Sequence, residues 1–229
     1  GEDLSINDLM DYRRFRDALA GKRRVAIMGA GLIGCEFAND LINGGYEVTV
    51  VAPDSRVLAA LLPASASEAV RSGLEEAGVR FHLEHSATRV HRTSDDVVVT
   101  LDDGTEIEAD LGVAAVGLKP RTEMARAAGI ECGRGIQVNQ YLETSMPSVY
   151  ALGDCAEVCG HVLPYVMPLM AAGRALATTL TSERTPVHYA SMPVTVKTPA
   201  CPVAVCPPPA EAEGEWQLEG DGRNRRVLF

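Results

Sequence analysis

Apolar positions follow two different spacings in the first half of the chain. Three short apolar runs are typical of buried strands, at 24–28, 47–51 and 79–83. Two stretches between them predict helices, at 32–42 and 65–77. Strand, helix, strand, helix and strand in this order predict a parallel sheet with right-handed crossovers. A helix capped by Asn7 and reaching about Ala20 precedes this unit, and no earlier strand is predicted.

Alternating polar and apolar residues form a second pattern after the third strand. Three such runs occur, at 87–92, 97–101 and 105–108. The turn signal Asp102-Asp103-Gly104 separates the last two, so a β-meander is predicted. An apolar strand at 111–116 then leads into Gly117, where the first domain is expected to end.

The second half of the chain has a looser pattern. It predicts a helix from about Pro168 to Leu180 and four short strands, near Ile136 and at 149–152, 194–196 and 203–205. The apolar triplet at 227–229 looks like the start of another strand, so the chain is expected to stop inside a domain.

Composition narrows the class of protein without giving a function. The chain has 229 residues, of which 46% are hydrophobic and 23% charged, as in ordinary globular domains. Its formal net charge of −10 argues against a general nucleic-acid binder, which needs a basic face. No apolar run approaches a membrane span, the N-terminus lacks a signal-peptide pattern, and the six cysteines form no tight framework. A cytoplasmic protein with reduced thiols is therefore expected.

The segment from Gly29 to Gly34 fits G-x-G-x-x-G and follows a predicted strand. The first glycine allows a tight turn, the second, Gly31, lets a pyrophosphate approach the backbone, and the third lets helix and sheet pack closely. The helix that begins near Leu32 directs free N–H groups and a positive dipole end toward bound phosphates. This position inside a β-α-β unit predicts a dinucleotide site rather than a glycine-rich turn without function.

The residue that should distinguish the two nicotinamide dinucleotides is not acidic in this chain. The fingerprint places an acid at the end of the second strand, where this chain has Ala52. Asp54 could substitute for it, and Arg56 is close enough to meet a 2′-phosphate. NADH is favoured, and NADPH stays open. Glu36, assigned to the first helical turn, either lines the nicotinamide side or is a plain first-turn acid.

Another carboxylate stands where a parallel strand is predicted to end. Asp154 follows Gly153 and the strand predicted at 149–152. Ligands in open α/β sheets lie at such carboxyl ends, and a carboxylate there can accept hydrogen bonds from a polyol. The alternative interpretation is an aspartate that caps the next turn, and the residues alone do not choose between the two.

Three motifs in this order resemble those of the pyridine nucleotide-disulfide oxidoreductases, flavoprotein reductases that bind two dinucleotides. They are the loop at Gly29, the segment AVGLKP at 115–120, and T-x-x-x-x-V-Y-A-L-G-D ending at Asp154. Three further segments are similar to the rubredoxin–NAD reductase branch of bacteria: GLIGCEFANDL at 31–41, YVMPLM at 165–170 and VTVKTPACP at 194–202. The resemblance covers essentially the whole chain.

The resemblance implies an α/β fold in three parts. These are a Rossmann-like NAD(P)-binding domain with a β-meander at 1–116, the C-terminal segment of an FAD-binding domain at 117–183, and the beginning of an α+β C-terminal domain at 184–229. In the family the NAD domain is inserted into the FAD domain, whose own glycine-rich loop lies in the preceding half. The chain is therefore expected to lack the N-terminal half of the FAD domain.

The resemblance also implies a reaction. NADH, or alternatively NADPH, passes a hydride to FAD, and single electrons then pass to rubredoxin, a small acidic protein, in alkane oxidation or oxidative-stress electron transfer. Asp154 would hold the ribityl chain of FAD, and the helix from Pro168 would direct its positive end at the flavin ring. The residues expected to bind cofactors are Gly29, Gly31, Leu32, Ile33, Gly34, Glu36, Asp54, Ala115, Val116, Gly117, Gly153, Asp154, Val166 and Lys197.

Lys197 is the candidate catalytic residue. It could stabilise reduced flavin or help the acidic partner dock, and a lysine that snorkels from an edge strand is equally compatible with the pattern. Met167 and Met170 are interpreted as core residues in preference to contacts of the flavin ring. No metal is expected, because the spacings of the cysteines and His161 are not those of zinc sites.

Two other functions stay open. The chain could be a truncated dinucleotide-binding module without bound flavin or turnover, or a flavoprotein reductase of the ferredoxin or nitrite-reductase type. A yellow purified protein favours an enzyme over the module, and reduction of the partner protein distinguishes the two types of reductase.

Overall fold

The computed structural model describes residues 4–94, 96–208, 212–221 and 224–229. The chain forms two compact units, Gly1–Gly117 together with Pro193–Phe229, and Leu118–Met192. The C-terminal segment therefore packs with the N-terminal part of the chain. The domain borders after residues 116 and 183 stay predictions.

Strands and helices alternate along the chain. Up to Gly117 they are β1 Leu4–Ser5, α1 Leu9–Ala18, β2 Arg24–Met28, α2 Leu32–Asn43, β3 Glu47–Ala52, α3 Ala64–Glu76, β4 Arg80–Leu83, β5 Ala87–Arg92, β6 Val97–Leu101, β7 Glu106–Ala109 and β8 Leu111–Ala114. The second unit contains α4 Glu123–Ala127, β9 Ile136–Val138, β10 Ala156–Val158 and α5 Val166–Thr181. The first unit is completed by β11 Val194–Val196, β12 Val203–Val205, β13 Gln217–Asp221 and β14 Asn224–Leu228.

Five parallel strands form the central sheet of the first unit in the order β1-β8-β2-β3-β4. Successive side chains of a strand lie on opposite faces. In β2, Ile27 belongs to the core shared with the helices, and Ala26 belongs to the core shared with the sheet β5-β6-β7. Burial on both faces explains why β2 and β3 are almost wholly apolar. All five strands end at one edge, which we call the carboxyl edge.

The predicted alternation of strands and helices is confirmed, and so is the antiparallel meander of β5, β6 and β7. Three details are wrong. Asp8 caps α1 instead of Asn7, because its carboxylate accepts hydrogen bonds from two amides of the first turn at 2.8 Å. The two-residue strand β1 precedes that helix and is too short to show a period in the sequence. β8 ends at Ala114, and Val116 beyond it is exposed.

Asp110 fastens the start of β8 to the start of β2. One oxygen accepts hydrogen bonds from the amides of Arg23 and Arg24 at 2.7 and 2.9 Å, and the other accepts from the guanidinium of Arg24 at 2.7 and 3.0 Å. The hydrogen bond from the backbone amide of Arg24 is the main cause that lowers the pKa of the Asp110 carboxyl to about 2.

Replacing Asp110 with asparagine is expected to lower the free energy of unfolding by about 2 kcal/mol near neutral pH. The folded-state pKa lies below the unfolded value of about 3.9, so this stabilisation is complete above that value and is lost as the pH falls toward 2. Urea unfolding at about pH 7 and about pH 2.5 should show the two proteins further apart at neutral pH. Glu108→Gln is the control, since its exposed carboxylate lies 3.8 Å from Arg24. An Asp110 effect of equal size at both pH values would contradict the assignment.

The second unit is built around the parallel pair β9 and β10 and the helix α5. Its core contains Val138, Leu142, Ala151, Ala156, Val158, Ala172, Ala175 and Val187. The strand predicted at 149–152 is wrong, because Tyr150 makes only an isolated bridge and β10 begins at Ala156. Ser148 and Gly153 have φ of 63° and 81°, so turns at both ends leave the apolar run too short to form a ladder.

The C-terminal segment forms two antiparallel hairpins, β11 with β12 and β13 with β14. The first hairpin enters the core of the first unit, where Val196 and Cys201 are buried. A Cβ on Gly73 of α3 would lie 2.9 Å from that of Cys201, so the contact is close. Val227 and Leu228 end β14, so the triplet 227–229 does not start a strand. In the described part of the chain, no helix combines the length and the apolar character that a membrane crossing needs.

Candidate functional site

The three glycines of the glycine-rich loop have different surroundings. Gly29 has φ of 117°, and a Cβ there would lie 2.5 Å from the carbonyl oxygen of Ala115. A Cβ on Gly34 would overlap the carbonyl oxygen of Gly29, so α2 lies directly against the loop. A Cβ on Gly31 would meet no atom within 4 Å, although its φ of −77° suits any residue. The backbone at Gly31 therefore borders open space of the kind that a pyrophosphate needs.

The helix α2 begins at Leu32, directly after this open position. Its N-cap is Gly31, which supplies no side-chain hydrogen bond, so the amides of the first turn need an acceptor from elsewhere. Leu32 and Ile33 belong to this turn. The positive end of the helix dipole adds attraction for phosphate groups. The loop and the helix together fit the pyrophosphate of a dinucleotide.

The chain leaves β8 beside the glycine-rich loop. The amide of Ala115 donates to the carbonyl oxygen of Met28 at 2.8 Å. Val116 is 68% exposed, and Gly117 has φ of 97° with open space around it. The structure thus brings Ala115, Val116 and Gly117 to the carboxyl edge next to the loop, where a bound ligand can reach them.

Glu36 lies just past the first turn of α2, and that turn contains no acid. Its assignment to the first turn is therefore wrong, and the helix dipole, which acts over one turn, does not account for it. Its Oε1 accepts a hydrogen bond from the backbone amide of Lys197 at 2.9 Å. The amide of Ala200 donates to Oδ1 of the buried Asn39 at 3.1 Å. Two hydrogen bonds thus fasten the segment after β11 to α2.

Lys197 contributes its backbone, not its ammonium group, to this contact. It follows β11, and the residue before it, Val196, is fully buried. The Lys197 side chain is exposed. No sequence pattern indicates the contact with Glu36, because the two residues are 161 positions apart.

The end of β3 carries the residues that could contact an adenosine ribose. Ala52 is buried, whereas Asp54 and Arg56 are exposed. The guanidinium of Arg56 donates to the carbonyl oxygen of Ala59 at 3.3 Å. Glu84, which follows β4, donates its amide to the carbonyl oxygen of Asp54 at 3.1 Å. Glu84 was not a candidate from the sequence, although an acid directly after the third parallel strand is a signal that could have identified it.

His85 lies beside Glu84 and contacts the turn between β6 and β7. Its Nδ1 is 3.0 Å from Asp102 Oδ1 and 3.8 Å from Asp103 Oδ2. The hydrogen bond with Asp102 is the main cause that raises the pKa of His85 and lowers that of Asp102. These three side chains could approach a metal ion together, but Asp102 and Asp103 also accept hydrogen bonds from backbone amides. The arrangement is explained by its structural role of holding two loops together.

Asp154 belongs to the second unit and does not end a strand. It follows Gly153, where a Cβ would lie 3.1 Å from Leu169 Cδ1, so this turn packs against α5. The amide of Ala156 donates to the carbonyl oxygen of Gly153 at 3.0 Å. The predicted position at the carboxyl end of a parallel strand is therefore wrong. The Asp154 carboxylate is exposed and remains available to a ligand.

The helix α5 begins at Val166, two residues before its predicted start, and Pro168 lies in its first turn. Val166, Met167 and Met170 are 72%, 62% and 47% exposed. The interpretation of the two methionines as core residues is therefore wrong. Exposed apolar side chains concentrated at one helix end are typical of a surface that binds something.

Two family models match the chain. The model described as pyridine nucleotide-disulphide oxidoreductase matches residues 2–190. The model described as rubredoxin binding C-terminal domain matches residues 186–229.

Curated relatives and solved structures are similar over the same range. The rubredoxin-NAD(+) reductase of Alcanivorax borkumensis is 54% identical over 230 residues, covering 100% of this chain and 60% of that protein. The rubredoxin-NAD(+) reductase of Acinetobacter baylyi is 49% identical, covering 93% of this chain and 56% of that protein. A ferredoxin reductase from Rhodopseudomonas palustris aligns with a TM-score of 0.88 at 29% identity, covering 98% of this chain and 57% of that one. The chain thus spans at most 60% of the length of these relatives.

Proposed function

Because the chain belongs to the pyridine nucleotide-disulphide oxidoreductase family, we propose that it is part of a reductase that passes electrons from NADH through FAD to rubredoxin. The observation that carries this proposal is the glycine-rich loop, whose backbone is open at Gly31 and closely packed at Gly29 and Gly34. The match of residues 186–229 to the rubredoxin binding model supports the choice of partner. The names of the Alcanivorax and Acinetobacter relatives support it as well.

The first unit binds the nicotinamide dinucleotide along its carboxyl edge. Gly31 and the amides of Leu32 and Ile33 receive the pyrophosphate. Val116 and Gly117 line the same edge beside the loop. When bound, NADH supplies a hydride and FAD accepts it and releases electrons singly.

Glu36 of α2 and Lys197 of the segment after β11 act together. The Lys197 amide fixes Oε1 of Glu36, so the remaining oxygen has a defined position from which it accepts a hydrogen bond from a ligand amide or hydroxyl. The exposed ammonium group of Lys197 can approach an acidic protein or a reduced flavin, both of which carry negative charge.

The second unit offers two contacts to FAD, at Asp154 and at the start of α5. Asp154 accepts hydrogen bonds from ribityl hydroxyls, and Gly153 allows the turn that presents it. Val166 lies in the exposed first turn of α5, where the positive helix end favours a reduced, anionic ring. The sequence contains one G-x-G-x-x-G loop, which the nicotinamide dinucleotide uses. The ADP end of FAD therefore binds to residues other than this loop.

The proposal is tested by the visible absorption spectrum of the chain after incubation with FAD and gel filtration. A retained flavin band that NADH bleaches, followed by reduction of added rubredoxin, is the expected result. A chain that binds NADH but retains no flavin is a binding module instead. A chain that binds neither would contradict the proposal altogether.

The same assay decides the role of Lys197. If Lys197→Ala slows rubredoxin reduction but not bleaching by NADH, the ammonium group serves docking, whereas slower bleaching places it at the flavin. Lys22→Ala is the matched control, since it removes the same charge from the turn between α1 and β2. Equal rates in both variants would exclude both roles.

We also propose a cytoplasmic location, since NADH is a metabolite of that compartment and thiols stay reduced there. A role in alkane oxidation stays a prediction.

A further inference from the structure

The adenosine end of the proposed dinucleotide site lacks the acid that usually holds the ribose. β3 ends at Ala52, which is buried and has no polar side-chain atom. In a β-α-β unit of this kind, the residue at this position meets the 2′ oxygen of the adenosine ribose. Another group at the carboxyl edge must therefore decide between NADH and NADPH.

Glu84 lies beside this position through backbone contacts. β4 is the parallel neighbour of β3, with Leu83 opposite Ala52. The two chains stay together beyond the sheet, because the amide of Glu84 donates to the carbonyl oxygen of Asp54 and the amide of His85 donates to that of Ala52, each at 3.1 Å. The backbone of Glu84 therefore lies beside the end of β3, at the spacing of two hydrogen-bonded strands.

The backbone of Glu84 is held in an uncommon conformation. Its φ is 63°, in the left-handed region that residues other than glycine seldom adopt. The hydrogen bond to Asp54 holds it on one side, and the contact of His85 with Asp102 at 3.0 Å holds the next residue on the other. Strained residues fixed in this way cluster at ligand contacts, which motivates a functional role for Glu84.

Negative charge dominates this corner of the carboxyl edge. Its carboxylates include those of Asp54, Glu84, Asp102 and Asp103, and its basic groups include those of Arg56 and His85. Arg56 donates to the carbonyl oxygen of Ala59 within its own loop. Glu84 also contributes to the raised pKa of His85, after the larger effects of Asp102 and Asp103, so it lies within electrostatic range of that ring. A 2′-phosphate would add a charge of about −2 to this negative field.

We propose that Glu84, together with Asp54, replaces the missing acid at the end of β3 and makes the site select NADH over NADPH. The carboxylate accepts a hydrogen bond from the 2′-hydroxyl of NADH and repels the 2′-phosphate of NADPH. This inference rests on the proposed function, because it needs a dinucleotide at the glycine-rich loop.

Titration calorimetry of the full chain with NADH and with NADPH tests the inference. The wild-type chain is expected to bind NADH on the order of tenfold more tightly than NADPH at low salt. Glu84→Gln is expected to lower this ratio roughly fivefold, mainly through tighter binding of NADPH. Added NaCl should lower the wild-type ratio in the same direction, because it screens the repulsion.

Two further variants keep the result interpretable. Glu76→Gln removes the same charge at the C-terminal end of α3, before β4 begins, and should leave the ratio unchanged. Glu84→Gly suits the positive φ and removes the carboxylate without strain, so it repeats the test if glutamine disturbs the loop.

The outcomes separate this inference from the proposed function. Equal affinity of the wild-type chain for the two dinucleotides, or an unchanged ratio in both Glu84 variants, overturns the role of Glu84. If the wild-type chain still binds NADH and Gly31→Ala weakens that binding, the dinucleotide site at the glycine-rich loop stands even though the role of Glu84 fails. A wild-type chain that binds neither dinucleotide would overturn the proposed function.

Discussion

Replacing Gly31 with alanine is expected to weaken NADH binding on the order of tenfold or more while leaving the midpoint of thermal unfolding unchanged. The backbone at Gly31 has φ of −77°, and a Cβ there meets no protein atom within 4 Å, so the fold accepts the methyl group. A pyrophosphate that approaches this backbone occupies the same space, so the methyl group displaces the ligand. Titration calorimetry with NADH and a thermal melt of the same preparation measure the two effects.

Gly173 in α5 provides the matched control for this substitution. A Cβ on Gly173 also meets no atom within 4 Å, so Gly173→Ala adds the same methyl group to open space in the other unit. It should leave NADH affinity unchanged and raise helix stability by up to about 1 kcal/mol, since alanine favours helices over glycine. Equal NADH affinity in the Gly31 variant and this control would mean that the dinucleotide does not bind at the loop.

Replacing Gly34 with alanine is expected to lower the free energy of unfolding by about 3 kcal/mol or more. The added methyl group would overlap the backbone carbonyl of Gly29 and lie 3.5 Å from the Cβ of Ala115. Neither neighbour is the end of a flexible side chain, so α2 would have to move away from β2. Urea unfolding of Gly34→Ala beside Gly31→Ala isolates this effect, because the two positions are in the same loop and receive the same group.

NADH binding by the Gly34 variant adds a second readout. A shifted α2 moves the amides of Leu32 and Ile33, so the fraction that stays folded should also bind NADH more weakly. A Gly34→Ala chain as stable as Gly31→Ala would contradict the close packing seen between Gly29 and Gly34.

Strong local patterns were sufficient to predict much of the fold. The strands at 24–28, 97–101 and 194–196 are confirmed with the predicted bounds. The first two form ladders with neighbours close in sequence or in the adjoining β-α-β unit, so hydrophobic spacing alone identifies them. The glycine-rich loop can also be predicted from a local pattern, because backbone geometry requires glycine at these three spaced positions.

The errors occur where turns at the ends of a run, or contacts between distant residues, decide the structure. The run at 149–152 is as apolar as a strand, but turns at Ser148 and Gly153 prevent a ladder from forming. Methionine is usually a core residue, yet Met167 and Met170 are exposed at the start of α5. Glu84 lies beside the end of β3, and this position can be predicted only when the order of the strands in the sheet is known. No spacing rule predicts such contacts.

The two hydrogen bonds that fasten the segment after β11 to α2 also determine when the first unit can finish folding. Lys197 and Glu36, and likewise Ala200 and Asn39, are 161 positions apart, and all of Leu118–Met192 is synthesised between them. At typical rates of about 5–20 residues per second, the ribosome needs roughly 8–30 s to cover that distance. During this interval Gly73 of α3 lacks its contact with Cys201, and apolar surface that is later buried stays accessible to chaperones. The cell therefore makes the glycine-rich loop early but completes the core beneath it only after the second unit has left the ribosome.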